Sequence, residues 1–312
     1  MDLIIYTLNS FAKTEDGGNP AGVVLQADGL SDEEMLSIAQ QVGFSETAFV
    51  QESEEANYKV RFFTPNSEVD LCGHATIATF TLLKIKKIIG DGILCQETKA
   101  GILNIEVYND KIYMNQNTPQ YFNIIDKNEI ADSLNITQND FISHLPVQIV
   151  STGLKDIMIP IKSLDRLLAI KPDLEKITAL SKKYNVSGFH VFSLETKFDS
   201  TAHCRNFAPL YNINEESATG TSNGALACYL YNYGIVNKEQ SSELIFEQGY
   251  SMQKPSEILV RLKIDKNKIC EVKVGGTAII KQELCLGKPI FPLSFIQGLN
   301  RSKTPTCRKF ES

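Results

Sequence analysis

Residues 68–78 read EVDLCGHATIA. Glu68 and Asp70 offer carboxylates, Cys72 a thiol and His74 an imidazole, and Gly73 between the last two has no Cβ to hinder a tight turn or a ligand. Phe63, Thr64 and Pro65 close a strand just before this stretch, and a helical pattern over 77–83 opens just after it. A helix that starts here turns its free N–H groups into the turn, where an anion fits. His74 adds a donor at the entrance. Acid, base and anion site thus fall within eleven residues.

Two further stretches carry chemistry. Glu46 opens an alternating strand, 45–51, with Phe44 and Phe49 on either side. A carboxyl flanked by aromatic rings can have its pKa raised toward ~6–7, so that it both takes and returns a proton. The loop 214–227, NEESATGTSNGALA, holds Glu216, Ser217, Gly220 and Thr221 and runs into a helix. Moving a proton between carbons needs one such shuttle and fixed donors for the charge that develops. Backbone N–H groups after Gly73 and Gly220 supply those donors and equally suit a substrate carboxylate. Each residue also has a plain structural reading. Glu46 fits a surface strand, His74 a helix cap, Glu216 a solvated loop acid and Cys72 a small buried hydrophobe. Thr221 fits a helix N-cap for Asn223 or Gly224. His144, His190 and His203 join no constellation and read as structural or surface residues.

The elements that must position these groups follow from pattern and punctuation. Strands are expected at 3–8, 21–25, 45–51, 58–63, 93–96, 102–108 and 111–115, with Asn109-Asp110 turning between the last two. Ser31 with Glu34 forms a capping box for a helix that Gly43 ends near Val42. From Pro119 the chain begins again. Helices are expected at 128–134, 165–170 and 173–184, and strands at 146–151, 155–161, 188–194, 202–207, 244–248, 258–264, 268–274 and 278–284. Residues 291–312, with Pro292 and Pro305, read as an irregular tail.

Composition bounds the partners. The chain has 312 residues, a net charge of −6, 43% hydrophobic and 22% charged residues. That is ordinary for a globular protein of one large or two smaller domains. The negative balance and the lack of a basic, aromatic-laced patch disfavour nucleic acid. No run of about 18 apolar residues predicts a membrane span. The start, MDLIIYTLNSFA, lacks a signal peptide's basic head and long apolar core. The seven cysteines are scattered without a CxxC pair, which disfavours a disulfide framework or structural zinc and fits a reducing compartment, so a cytoplasmic location is expected. No metal, nucleotide or redox cofactor is expected.

Arg61-Phe62-Phe63-Thr64-Pro65 leads through acids to Cys72-Gly73-His74 and a helix. Arg205-Asn206-Phe207-Ala208-Pro209 leads through acids to Thr219-Gly220-Thr221 and a helix, at an offset close to 145 residues. Gly43-Phe44 and Gly188-Phe189 precede the two as matching strand starts. The simplest account is two similar domains, each with strands wrapped about a helix, whose helix N-termini face one cleft. Coincidence between two strand–turn–helix units is the alternative. The meander-like runs of strands argue against an all-parallel fold.

Four motifs in order resemble the PhzF (phenazine biosynthesis) family, within the diaminopimelate epimerase-like fold. They are GNPAGVV at 18–24, SETAFV at 45–50, RFFTPNSEVDLCGHAT at 61–76 and RNFAP…EESATGTS over 205–222, with QGYSMQKPS at 248–256 as a weaker fifth. The resemblance implies an α+β fold of two pseudo-symmetric domains, each a curved mixed or antiparallel sheet around a central helix. Residues 1–117 and a returning strand at about 277–290 would form the first, and 118–276 the second. It implies a homodimer without cofactor, acting on a small carboxylate-bearing, cyclic molecule. By motif, Glu46 matches the acid/base glutamate. His74, Glu216 and Thr221 join it as catalytic residues, and Asn19, Cys72, Gly73, Gly220 and Ser222 as substrate-binding ones. EESATGTS places Glu216 and Thr221 where the family shows Asp and Ser. The longer acid moves the charge by about one bond length and points to a different substrate shape.

Three readings follow. The leading one is a cofactor-independent isomerase that shifts a proton by acid/base catalysis. The second is an amino-acid racemase using two thiols, for which Cys72 holds one position but Ser217 the other. The third is a binding protein that kept the cleft without the chemistry.

Overall fold

A computed structural model describes residues 3–286. The first half holds β1 (Leu3–Ser10), β2 (Asn19–Val24), α1 (Asp32–Val42), β3 (Thr47–Gln51), β4 (Tyr58–Phe63), β5 (Glu68–Val69), α2 (Gly73–Ile85), β6 (Gly92–Thr98), β7 (Gly101–Tyr108) and β8 (Lys111–Gln116). The second holds β9 (Gln120–Ile125), α3 (Lys127–Leu134), β10 (Val147–Ser151), β11 (Lys155–Ile161), α4 (Leu164–Ala169), α5 (Leu174–Tyr184), β12 (Gly188–Ser193), β13 (Ala202–Ala208), β14 (Ile213–Glu216), α6 (Gly220–Asn232), β15 (Leu244–Gln248), β16 (Ser256–Asp265) and β17 (Lys268–Gly276). The last described strand is β18 (Ala278–Leu286). The expected strand positions 287–290 and the tail 291–312 lie outside the described residues.

The strand pairings repeat. Along the first half β1/β2 is antiparallel, β2/β3 parallel, β3/β4 antiparallel, β4/β6 parallel, and β6/β7 and β7/β8 antiparallel. The second half gives the same series. There β10/β11 is antiparallel, β11/β12 parallel, β12/β13 antiparallel, β13/β15 parallel, and β15/β16 and β16/β17 antiparallel. Strands β5 and β14 hang from β4 and β13, while β18 and β9 line the outer edges of β1 and β10. The equivalent last strands, β8 and β17, bond each other, so the ladder passes unbroken from one half to the other.

Register corrects one detail of the repeat. Thr47 stands opposite Phe63, and Phe189 opposite Phe207, so Thr47 and Phe189 are counterparts. Gly43-Phe44 therefore does not match Gly188-Phe189. Gly43 ends α1 at φ 70°, a left-handed position suited to glycine, whereas Gly188 begins β12. The α1 start does follow its local signal, because Ser31 and Glu34 form both bonds of the capping box.

Helices α2 and α6 are central because their sequences are apolar on every side. Ala75 through Leu83 and Ser222 through Leu230 are all buried. Ile77, Phe80 and Leu83 of α2 share one core with Ala225, Leu226 and Tyr229 of α6 and with Met114 and Val274 of the joining strands. The leucine, isoleucine, valine, methionine and phenylalanine side chains among them each contribute about 1.5–3 kcal/mol by leaving water. This core fixes the two helices side by side.

A second device aims the chain after each RxF strand. Arg61 grips Glu68 with Nε and Nη2 at 2.8 and 3.0 Å, and Arg205 grips Glu215 at 2.8 and 2.8 Å. Each guanidinium also lies over a phenylalanine of its own strand, Phe63 at 5.1 Å and Phe207 at 4.9 Å. The forks hold β5 and β14 across β4 and β13, just ahead of α2 and α6. These two short strands carry too few apolar residues to stand out by pattern, and β9, QYFNII, lacks the strict alternation that marks a half-buried strand. Helix α2 also starts four residues before its apolar periodicity. No helix among the described residues is long and apolar enough to cross a membrane.

Candidate active site

Glu46 and His74 meet although 27 residues separate them. Glu46 immediately precedes β3, which pairs with β2 and β4, and its carbonyl accepts the Gly22 N–H at 3.1 Å. His74 is the second residue of α2, and its carbonyl accepts the Ser10 hydroxyl at 2.6 Å. The side chains then approach with His74 Nε2 3.3 Å from Glu46 Oε2. That oxygen is shut from solvent and accepts no hydrogen bond, so the contact is an ion-pair distance without hydrogen-bond alignment. Ser45 Oγ lies 3.4 Å from the same nitrogen. Cys72 Sγ lies 3.4 Å from Nδ1 and 3.9 Å from Nε2.

Glu216 enters from the other half. It ends β14, and its two oxygens are separately held. Asn19 Nδ2 donates to Oε1 at 3.0 Å and the Thr219 hydroxyl donates to Oε2 at 2.7 Å. Asn19 belongs to β2, so the first half completes the setting of the second half's acid. Burial pushes the Glu216 pKa up and the Glu46 carboxylate adds to this, while His74, Thr219 and Asn19 pull the other way. Burial likewise pushes the Cys72 thiol well up, with the charges of Glu46 and Glu216 acting in the same direction. Cys72 is therefore a neutral thiol wall rather than a ready thiolate. The donor atoms of Glu46, Cys72 and His74 lie within 4.8 Å of one another, a set of types able to hold a thiophilic divalent cation.

Several expected contacts need correction. Glu68 and Asp70 do not face this site, since Arg61 binds Glu68 and the exposed Asp70 lies 3.6 Å from Lys99. Phe49 packs on Phe63 at 5.5 Å under α1, on the face of β3 opposite to Ala48 and Val50, which line α2. Strand alternation puts Glu46 on the α2 side, so Phe49 does not flank it. Gly73 needs no left-handed backbone, and an added Cβ would meet only Met114 Sδ at 3.6 Å. Gly220 is tighter, with Val274 at 3.2 Å from such a Cβ. Ser222 turns its hydroxyl inward, accepting from Asn206 at 3.1 Å and donating to buried Asp156. Ser217 is buried and donates to the Gly18 carbonyl at 2.9 Å. Thr219, not Thr221, is the N-cap residue of α6, and its side chain does not cap the helix. Thr221 is half-exposed at the place His74 holds in α2, and its carbonyl accepts from Thr152 as that of His74 does from Ser10.

The first-turn N–H groups at Gly73, His74, Ala75, Gly220, Thr221 and Ser222 have no intrahelical carbonyl to bond. They provide fixed donors on both halves. Pattern reading missed Thr219 and Gln248, which set the loop ahead of α6, although both lie inside recognised motifs. It also left out His190. This imidazole is fully buried between Asn206 and Asn223, and burial lowers its pKa to about 4. Two surface cavities, of about 460 and 360 Å³, lie elsewhere, against 124–147 and 153–211, and contain none of these groups.

Comparison with known proteins bears on this arrangement. Residues 8–283 match the family model described as phenazine biosynthesis-like protein. The chain is 38% identical to an uncharacterized isomerase of Clostridium acetobutylicum over 295 residues, covering 90% of this chain and 98% of that one. It is similar to the crystal structure of a Bacillus anthracis phenazine biosynthesis protein of the PhzF family, with TM-score 0.83, 35% identity, and coverage of 92% and 99%. The fold is also shared with a hydroxyproline epimerase of Agrobacterium vitis solved with bound trans-4-hydroxy-L-proline, at TM-score 0.56, 11% identity, and coverage of 93% and 94%.

Proposed function

Because the chain belongs to the phenazine biosynthesis-like protein family, we propose that it is a cofactor-independent isomerase that moves a proton within a small carboxylate-bearing, cyclic metabolite. The observation that carries this reading is the Glu46 carboxyl, whose Oε2 is shut from solvent, accepts no hydrogen bond and lies 3.3 Å from His74 Nε2. The side chain as a whole stays 20% exposed, and it is from that exposed side that a substrate carbon reaches the carboxyl in this proposal. Glu46 accepts that proton, the electron pair delocalises toward the substrate carboxylate, and Glu46 returns the proton to a different carbon. His74 and the N–H groups opening α2 and α6 stabilise the charge while it is delocalised. Glu216 supplies the second carboxyl, across from the first. In this proposal, residues 1–117 with the returning strand β18, and 118–276, form the two units that carry opposite walls of the site.

The two-thiol racemase is the reading to separate from it, because Cys72 touches His74 while Ser217 is tied to a backbone carbonyl. Candidate cyclic dienes and amino acids are incubated in D₂O and scanned for carbon-bound deuterium. Glu46→Gln is expected to lower exchange ~10²–10⁴-fold, as for one positioned acid/base group, and Cys72→Ser to retain it. Exchange that survives Glu46→Gln and dies with Cys72→Ser would overturn the proposal in favour of the thiol.

A further inference from the structure

The two carboxyls of the site are not set alike. Glu216 receives one donor on each oxygen, whereas Glu46 Oε2 receives none. The direction of the Thr219–Glu216 bond follows from backbone groups that have no alternative orientation. The Thr219 N–H donates to Gln248 Oε1 at 3.2 Å, and Gln248 Nε2 donates to the Glu216 carbonyl at 2.8 Å. These two bonds fix which end of the amide is nitrogen. The second hydrogen of Nε2 then points at Thr219 Oγ1, 3.0 Å away. A hydroxyl that already accepts there sends its own hydrogen to Glu216 Oε2. A proton on Oε2 would face that hydroxyl hydrogen, so Oε2 is held as an acceptor.

The polarity is reinforced behind Gln248. Asn223 Nδ2 donates to the Thr219 carbonyl at 2.9 Å and to Gln248 Oε1 at 2.8 Å. Its oxygen therefore faces His190 Nε2 at 3.3 Å, which makes that nitrogen the N–H of a neutral ring. His190 Nδ1 then accepts from Asn206 Nδ2 at 3.2 Å. Every link is a neutral side chain with its donors matched to acceptors, and Gln248, Asn223 and His190 are fully buried. Such a chain cannot reverse one bond without stranding another.

We propose that Thr219 and Gln248 are positioning residues that hold Glu216 as the charged, accepting carboxylate of the site and so leave the mobile proton to Glu46. The titratable groups facing Glu216 are Glu46 and His74, with the Cys72 thiol beside them. Burial, with the Glu46 charge, leaves the Glu216 pKa raised on balance, and His74 and the donors of Thr219 and Asn19 limit that rise. Two carboxyls whose settings differ in this way take different roles. The division of labour rests on the isomerase reading, but the hydrogen-bond assignment does not.

The test keeps the two apart. Protein carrying ¹³C-carboxyl glutamate is titrated by NMR, with the Glu216 resonance assigned by its absence in Glu216→Gln. Thr219→Val removes the hydroxyl at nearly constant shape and leaves Gln248 its backbone partners, while Thr219→Ser keeps the hydroxyl. The Glu216 midpoint is expected to rise by about one to two pH units in Thr219→Val, as for loss of a hydrogen bond to a charged group, and to return near wild type in Thr219→Ser. In the deuterium assay the acid limb of the kcat/KM profile should move with it. An unmoved midpoint in Thr219→Val, or no rescue by serine, overturns the proposal. If the midpoint moves as expected and no candidate exchanges even in wild type, the positioning stands and the isomerase reading is what fails.

Discussion

Replacing Arg205 by methionine should cost far more than replacing its counterpart Arg61. Arg205 donates to both oxygens of Glu215 at 2.8 Å and, through Nη1, to the carbonyls of Leu167 and Ile170 at 3.1 and 2.9 Å. Its side chain is 7% exposed and that of Glu215 17%. Methionine keeps an apolar stem over Phe207 but leaves a carboxylate and two carbonyls without those donors in a site poor in water. Breaking one partner of a buried pair costs about 3–5 kcal/mol, most of it from the stranded charge. Arg61 also forks onto one carboxylate, but its other partner, Asp32, is 70% exposed and contributes little. Arg61→Met should therefore cost about 1–3 kcal/mol. Urea unfolding followed by circular dichroism reads both. With m of about 3 kcal/mol/M, Arg205→Met should lower the midpoint by about 1–1.7 M. If the stranded charge dominates, adding Glu215→Gln should cost less in that background than in wild type. An Arg205→Met loss below about 1 kcal/mol, or no larger than that of Arg61→Met, would refute the reasoning. Because β14 carries Glu216 beside Glu215, the variant should also lose deuterium exchange before it loses helix signal.

Two further outcomes are expected. Burial holds His190 at about 4, below its ordinary range, so the unfolded chain protonates first and stability falls as pH drops from about 6.5 to about 4. Burial holds Asp156 at about 6, above its ordinary range and against the Ser222 and Gly188 donors, so the folded chain protonates first and stability rises as pH drops from about 6 to about 4. The two trends oppose, so Asp156→Asn should make Tm fall more steeply than wild type on acidification through this window, and an unchanged slope would refute it. Titrated sulfate or small carboxylates should shift the amide resonances of Gly73, His74, Gly220 and Thr221 before others, through the free N–H groups and helix dipoles; first shifts elsewhere would count against the anion site.

Much of the scaffold was legible because local chemistry decided it. Ser31 with Glu34 and then Gly43 bounded α1, and β4, β11 and β15 began and ended where alternation and turn residues put them. Glu46, His74 and Glu216 stood out through the motifs that carry them. The short β5 and β14 and the non-alternating β9 gave little local signal, because the bonds that hold them come from neighbours such as Arg61, Arg205 and β10.

The sequence by itself determined where the repeat falls, since its RxF strands and glycine-led helices recur at an offset close to 145 residues. Only tertiary structure decided which acids the site would use. Glu68 and Asp70, nearest His74 in sequence, turn to Arg61 and Lys99, while Glu46 and Glu216 arrive from a strand start and from the other half. At the counterpart of Glu46 the second half has Gly188, and at that of Glu216 the first half has Val69. The two halves share a frame and differ at these acid positions. Bringing Glu46 to Glu216 depends on contacts across the joined β8 and β17 and the shared helix core, which no local pattern encodes, because propensity acts over a few residues whereas these contacts form only when the whole ladder closes.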